Sequence, residues 1–112
     1  MEMLIEELDG GVTKVVLRGR LDIAGANTID LGFSAVSGSH RAILVDLSEV
    51  SFLASLGIRV LVLGAKTVAS KGGRIALLAP IPEVESVLTT MRIDSLIPIY
   101  HAQPAAYRAL TA

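Results

Sequence analysis

Several residue types are absent or scarce in this chain of 112 residues, which contains no cysteine and no tryptophan. The absence of cysteine excludes disulfides and thiolate metal sites and is consistent with a reducing cytoplasm. Aromatic residues make up only 4% of the chain, whereas 52% of it is hydrophobic. We therefore expect one domain, residues 1–112, whose core consists mainly of Val, Ile, Leu and Ala.

Charge is also scarce, because only 19% of the residues are charged and the formal net charge is −1. This balance provides no basic field that would attract nucleic acid or an anionic membrane. The chain opens on Met1-Glu2 without a basic segment, so we expect no signal peptide. Its longest apolar stretch, residues 58–63, contains Arg59 and is too short to cross a bilayer. We expect a cytoplasmic protein that neither inserts into a membrane nor binds nucleic acid directly.

Alternating apolar segments and turn signals predict an α/β fold. The turn signal Asp9-Gly10-Gly11 predicts a hairpin between strands at residues 3–5 and 12–17, the second of which ends at Gly19. The resulting order, ββαβαβαβα, predicts a mixed sheet with helices packed mainly on one face. The remaining strands are predicted at residues 43–47, 74–79 and 96–100. The first of these is expected to be central and the last to be an edge strand, because of Pro98. The helices are predicted at residues 22–37, 56–69, 82–91 and 103–110.

Helical spacing also predicts which faces are buried. Asp22 is expected to cap the first helix, and Ser37-Gly38-Ser39 to break it. The second helix is apolar nearly all round, which indicates burial on more than one side, or a partner. The expected inner positions are Ile29, Phe33 and Val36 in the first helix, Ile58, Leu61, Val62, Ala65 and Val68 or Ala69 in the second, and Val84, Val87, Leu88 and Met91 in the third.

The most informative stretch is residues 46–57, in which a buried strand leads into the start of a helix at Ser55. A serine there is a good helix cap and also a good position for a phosphate, because unpaired N–H groups collect at a helix N-terminus. The spacing alone favours the cap. Asp46, at the end of the strand, is expected to be held by backbone N–H groups rather than to act as a catalytic acid.

The pattern D-L-S-x-V-x-F-x-x-S-x-G resembles that of the STAS domain, whose best-known members are bacterial anti-sigma-factor antagonists. Gly19-Arg20-Leu21-Asp22, Lys71-Gly72-Gly73 and the predicted third helix also match, so that the resemblance covers nearly the whole chain. It aligns Ser55 with the family's phosphorylated serine. The chain departs from the family's commonest pattern at Ala54, Leu56 and Arg59.

The resemblance implies a regulatory binding protein rather than an enzyme. The unphosphorylated form would bind an anti-sigma factor that is also a serine kinase, and a sigma factor would be released. Phosphorylation of Ser55 would end the interaction, and a serine phosphatase would restore it. The expected contact surface comprises Asp22, Leu53, Ala54, Leu56, Gly57 and Arg59, with Gly57 admitting the partner's backbone and Asp22 lying beside the phosphoserine.

Two alternatives from other classes stay open. One is a STAS subunit that scaffolds a signalling or transporter assembly without phosphorylation, which Ala54 and Leu56 favour. The other is a module that senses a nucleotide or another small anion at the helix start. An enzyme is disfavoured, because no phosphate-binding loop or nucleophile motif is present. His40 and His101 are isolated, so neither a metal nor another cofactor is expected.

Overall fold

A five-stranded mixed sheet forms the centre of the computed structural model, which describes residues 1–112. The strands lie in the order β1-β2-β3-β4-β5; β1 and β2 are antiparallel and the other pairs are parallel. The strands are β1 Glu2–Glu7, β2 Thr13–Leu21, β3 Ala42–Leu53, β4 Arg74–Leu78 and β5 Ile99–Tyr100, and the helices are α1 Ile23–Ser39, α2 Ser55–Ser70, α3 Pro82–Thr90 and α4 Gln103–Thr111, with short 3-10 turns at Asp9–Gly11 and Ile93–Ser95.

The core lies on both faces of the sheet, and β3 is its central strand. On one face, α1, α2 and α3 pack against the sheet through residues such as Phe33, Leu61 and Leu88. On the other face, α4 alone covers a smaller cluster, to which Leu44 and Leu110 belong. The predicted mixed sheet with helices mainly on one face is therefore confirmed, as is the predicted hairpin between β1 and β2.

Helix α2 is buried on two sides. Leu61 and Val68 are fully buried against the sheet, while Val60 is buried on the side that faces α1. Gly64 allows the close contact with α1, because a Cβ at this position would collide with the ring of Phe33. The nearly all-round apolar character predicted burial of this kind. Val62 packs against the core as predicted but is only half-buried, so it lies at the margin of the inner face.

The predicted ends of the first three elements differ from the observed ones. β2 continues through Gly19, which adopts φ +114°, to Leu21. α1 continues through Ser37 and Ser39, whose hydroxyls donate to the Phe33 and Ala35 carbonyl oxygens of the preceding turn, both at 2.8 Å, without displacing the backbone from the helix. Serine therefore does not break this helix.

β3 has 12 residues, seven more than predicted. It begins at Ala42, one residue earlier than expected, and ends at Leu53 instead of residue 47. Two irregularities in its pairing with β2 lie between Val16 and Arg18 and between Gly19 and Arg20. Each places one extra residue in β3, as a β-bulge does. The polar segment 48–51 is therefore part of the sheet and not a loop.

Two predictions near the C-terminus are also corrected. α3 ends at Thr90 and Met91 is 56% exposed, so Met91 does not extend the buried stripe of Val84 and Leu88. The last strand has only two residues, because the N–H of Ile97 donates to the Ile93 carbonyl and belongs to a turn. It is an edge strand, as Pro98 predicted. No helix of the chain has both the length and the apolar character needed to cross a membrane.

Candidate functional site

Ser55 is the first residue of α2 and is exposed. The chain reaches it directly from β3, and the N–H of Ala54 donates to the Leu21 carbonyl of β2 at 3.0 Å. This bond fixes the start of α2 beside the end of β2. The first intrahelical bond runs from Ile58 N–H to the Ala54 carbonyl, at 3.1 Å, so the N–H groups of the first turn have no helical partner.

The expectation that Ser55 caps α2 is wrong. Ala54 occupies the N-cap position, with an extended backbone (φ −113°, ψ 172°) and no side chain to accept a hydrogen bond. No acidic residue lies in the first turn either. The partial positive charge at this helix start is therefore balanced by no side chain of its own element. Ser55 is free of a capping role.

Asp22 caps α1, as predicted. Its Oδ1 accepts a hydrogen bond from Gly25 N–H at 2.8 Å, and its Oδ2 lies 3.4 Å from Arg20 Nε. The bond from Gly25, followed by the contact with Arg20, lowers the pKa of the Asp22 carboxyl. The Arg20 guanidinium also lies over the ring of Phe52, 4.3 Å from its centroid. Asp22 is thus held in place by its own neighbours.

Two of the predicted contact residues are buried. Leu53 is only 5% exposed and belongs to the main core, so the expectation of an exposed leucine here is wrong. Gly57 faces β2 rather than solvent, because a Cβ there would lie 2.5 Å from Leu21 Cγ and 2.8 Å from the Leu21 carbonyl oxygen. The glycine allows α2 to approach the sheet, and not a partner's backbone to approach α2.

The predicted contact residues that are not buried form a continuous surface with residues of α1. Ile23, which is 66% exposed, lines a shallow depression together with Ala54, Ser55, Leu56 and Arg59. A second depression shares Leu56 and Arg59 with the first. We call the two together the α1–α2 surface; the second depression is lined by Ala26, Asn27, Asp30, Leu56, Arg59, Val60 and Leu63.

Arg59 lies near the middle of the α1–α2 surface, one helical turn after Ser55. Its side chain is exposed and takes part in none of the ion pairs of the chain. Residues four apart on a helix lie on the same face. The guanidinium is thus available to an acidic group, whether that group belongs to a partner or is attached to Ser55.

Sequence reasoning missed the part of this surface that α1 contributes. Ile23 directly follows the cap residue and lies outside the buried spacing of Ile29, Phe33 and Val36, which was the available signal. Asn27 and Asp30 carried no signal of their own. They join the site only because α1 packs along α2, and that contact cannot be inferred from either helix alone.

Asp46 has the structural role that was predicted for it. Its Oδ1 accepts a hydrogen bond from Ser48 N–H at 2.9 Å, and its Oδ2 lies 3.7 Å from Lys14 Nζ. The two histidines lie far apart in the sequence, and each is near a glutamate: His40 near Glu7 and His101 near Glu85. No group of three His, Asp or Glu side chains is arranged to hold a metal ion.

Comparison with known proteins gives a consistent picture. The family model described as "Mlab, STAS domain" matches residues 5–98, a range that contains α1, α2 and Ser55. A similar protein is BtrV of Bordetella bronchiseptica, provisionally named an anti-sigma factor antagonist. It is 26% identical over 110 residues, which cover 97% of this chain and 94% of BtrV.

Solved structures agree with this assignment. An anti-sigma factor antagonist from Mycobacterium paratuberculosis is 27% identical and has a TM-score of 0.89; the match covers 99% of this chain and 94% of that one. A protein of Thermotoga maritima, also provisionally described as an anti-sigma factor antagonist, has a TM-score of 0.90 over 98% of this chain and 95% of that one. It is 24% identical, so this second likeness shows the fold alone.

Proposed function

The chain belongs to the STAS domain family, and we propose that it acts in the cytoplasm as an anti-sigma-factor antagonist. In this proposal it works by binding and not as an enzyme. The unphosphorylated form binds an anti-sigma factor with serine kinase activity through the α1–α2 surface, which releases a sigma factor. Phosphorylation of Ser55 by that kinase ends the complex, and a serine phosphatase restores the binding form.

The observation that carries the proposal is the position of Ser55. It is exposed, it begins α2 without capping it, and it lies on the same depression as Ile23, Leu56 and Arg59. A hydroxyl in this position is accessible to a kinase and is not needed for the helix start. The chemical change would therefore fall within the surface proposed for the partner.

The electrostatic consequence of phosphorylation supports a switch. A phosphate adds nearly two negative charges, which an uncompensated helix N-terminus tolerates well. A partner docked over Leu56 would have to remove water from that dianion, which is costly unless it is paired. Arg59 lies one turn away, and pairing with the phosphate would withdraw its guanidinium from an acidic group of the partner. We infer that the phosphorylated chain stays folded and loses its partner.

The structure also refines which residues touch the partner. Leu53 and Gly57 contribute by shaping the turn from within, since both are buried. Direct contact is proposed for Ser55, Leu56 and Arg59, with Ala54 at the rim and Ile23 added from α1. Asp22 acts through its neighbours, because it holds the start of α1 and therefore positions Ile23.

The test is the affinity of the purified chain for the kinase-type anti-sigma factor of its source organism, measured by calorimetry. Ser55→Ala is expected to bind at least as well as the unsubstituted chain. Ser55→Asp is expected to bind at least about ten-fold more weakly, because a carboxylate would be desolvated in the interface. Ile23→Glu is expected to weaken binding for the same reason.

Ser86→Asp provides the matched control. It makes the same chemical change at an exposed serine of α3, outside both depressions of the α1–α2 surface, and is expected to leave the affinity unchanged. Equal affinity of the unsubstituted chain, Ser55→Asp and Ile23→Glu would contradict the proposal. A scaffold function without phosphorylation would then be the better account of Ala54 and Leu56.

A further inference from the structure

The edge of β4 is only half covered. β5 pairs with Leu77 and Leu78 alone, so that the first three residues of β4 have a neighbour on the β3 side only. A strand edge of this kind presents unpaired backbone groups to any extended chain that reaches it. The uncovered half begins at Arg74.

The direction of the backbone hydrogen bonds of β4 identifies the groups that have no partner. The N–H of Arg74 donates toward β3, to the Arg41 carbonyl at 2.7 Å, whereas the N–H of Leu77 donates to the Pro98 carbonyl at 2.9 Å on the opposite side. Successive residues of a strand point these groups to alternate edges. The N–H and C=O of Ile75 therefore point to the free edge, where no strand is present.

A groove runs along this edge between α2 and α4. Ile75 and Ala76 of β4 line it, together with Leu96, Pro98 and Tyr100. Ala65 and Ala69 of α2 line one wall, and Ala109 and Leu110 of α4, followed by Ala112, line the other. The alanines on the two walls leave room for one extended backbone with short side chains.

The charged side chains that line the groove are all basic. Arg74 lines it, and Lys66 lines a shallow continuation that shares Ala65, Ala69 and Leu96 with it. No acidic side chain lines either part. Neither cation has a carboxylate within ion-pair distance, and Arg74 is held only by the Ala109 carbonyl, at 2.9 Å.

We propose that this groove binds an extended, acidic segment of a partner protein, which adds to the sheet as a strand beside β4. The backbone of the segment pairs with Ile75, its small side chains fit between the alanines, and its carboxylates lie near Arg74 and Lys66. Pairing of main-chain groups supplies affinity and the flanking side chains supply selectivity in binding of this type. The site is separate from Ser55, since Ala69 lies fourteen residues, about 21 Å of helix, further along α2.

A second copy of this chain is a less suitable occupant. Its own β1 is acidic, with Glu2, Glu6 and Glu7, and has a free edge. Addition of β1 to β4 would be a head-to-tail contact, however, and repetition of such a contact generates rings or open filaments rather than the common two-fold dimer. We therefore assign the groove to a segment of another protein and expect the isolated chain not to assemble through it.

The test uses a capped synthetic peptide of eight residues in which pairs of adjacent glutamates alternate with pairs of valine or alanine, so that carboxylates point to both faces of the sheet, toward Arg74 on the α4 side and Lys66 on the α2 side. Titration into isotopically labelled chain is followed by the amide signals. Binding is expected to shift the signals of Ile75, Arg74 and Ala69, and to slow hydrogen exchange at the Ile75 N–H. A peptide with lysine in place of every glutamate is expected to bind at least about ten-fold more weakly, because like charges would face each other.

Two matched charge substitutions in α2 test whether the peptide binds in the groove or elsewhere on the helix. Ala69→Glu places a carboxylate in the groove and is expected to weaken the glutamate peptide at least about ten-fold. Thr67→Glu makes an equal charge change at an exposed position of α2 outside the groove and is expected to have less than about a two-fold effect.

Four results would overturn the proposal. They are the absence of binding at millimolar peptide, equal binding of the lysine peptide, equal affinity of the Ala69→Glu variant, and concentration-dependent assembly of the chain alone that protects the Ile75 N–H. None of them depends on Ser55, so the proposed phosphorylation switch would not be affected.

Discussion

At the scale of single residues, the first turn of α2 combines two kinds of position. Gly57 faces inward and is restricted by the Leu21 backbone. Ser55 and Arg59 face outward and are restricted by nothing within the chain. The same short motif therefore contains residues that the fold requires and residues that are available for recognition.

The inward position gives a stability prediction. Gly57→Ala is expected to lower the free energy of unfolding by about 1–3 kcal/mol, because the added methyl group would overlap Leu21 and its carbonyl oxygen. The measurement is urea denaturation. Gly38→Ala serves as the control, since a Cβ there meets no atom within 4 Å. Equal stability of Gly57→Ala and the unsubstituted chain would show that α2 does not pack this closely against β2.

Ser55, which faces outward, is predicted to contribute little to the free energy of unfolding. Ser55→Ala is expected to change the free energy of unfolding by less than about 0.5 kcal/mol, because Ser55 does not cap α2 and surface substitutions of this kind have small effects. A larger loss, near the cost of about 1 kcal/mol for removing a cap, would mean that the hydroxyl caps the helix in solution. The same denaturation experiment decides between the two.

Asp22 gives a prediction about pH. Its pKa is lowered in the folded chain, first by the bond from Gly25 N–H, so the unfolded chain binds the proton more tightly. The stabilisation is complete above the unfolded pKa of about 3.9 and is lost as the pH falls through the lower folded value. Asp22→Asn keeps a capping oxygen without the titration. The difference in stability between the two proteins should shrink only below about pH 4; a difference that does not vary with pH would contradict this role.

At the scale of elements, α2 shows how the position of a residue on a helix decides how much its side chain contributes to stability. Leu61 is fully buried and Leu63 is 47% exposed, although they are two residues apart. Leu61→Ala is expected to cost about 2–4 kcal/mol, through the cavity that it leaves. Leu63→Ala should cost less than about 0.5 kcal/mol, and the half-buried Val62→Ala should lie between them. Equal losses at Leu61 and Leu63 in urea denaturation would contradict the observed orientation of α2.

The elements also show where the sequence pattern is sufficient and where it is not. The order of strands and helices, the cap at Asp22 and the start of α2 to within one residue follow from local signals. The length of β3 does not, because its two bulges change the spacing of buried residues. Leu47, Val50 and Leu53 are buried three residues apart, whereas a regular strand alternates every two. The pairing with β2 that produces the bulges is not encoded within β3 itself.

The candidate site has the same limitation. Ser55 and Arg59 were identified from the motif, because both lie on one helix at a fixed spacing. Leu53 and Gly57 were assigned to the surface, but their burial depends on the contact with Leu21 of another strand. Ile23 was missed because it enters the site only through the packing of α1 on α2. Tertiary contacts, rather than local preference, decide these three positions.

At the scale of the whole molecule, β3 lies at the centre of the sheet, and helices cover both faces near it. Backbone amides in such a position exchange with solvent only when the whole chain unfolds. The Val45 N–H is therefore expected to be among the slowest to exchange, and the amides of the two-residue edge strand β5 among the faster ones. Exchange of Val45 at the rate of β5 would place the stable core elsewhere.

The whole molecule also separates its two proposed binding regions. Along α2, the α1–α2 surface extends from Ser55 to Leu63, whereas the groove beside β4 is lined by Ala65 and Ala69. Switching by Ser55 requires no change of fold in this arrangement. The expected consequence is a phosphorylated chain with the same stable core and a different set of partners.

The most direct test of the central claim is mass spectrometry of the chain after incubation with the cognate kinase-type anti-sigma factor and ATP, with the amount of complex followed in parallel. We predict one phosphate, located on Ser55, and dissociation of the complex as it accumulates. Ser55→Ala should gain no phosphate and stay bound. A chain that acquires no phosphate on Ser55, or a phosphorylated chain that stays bound as tightly as before, would contradict the account.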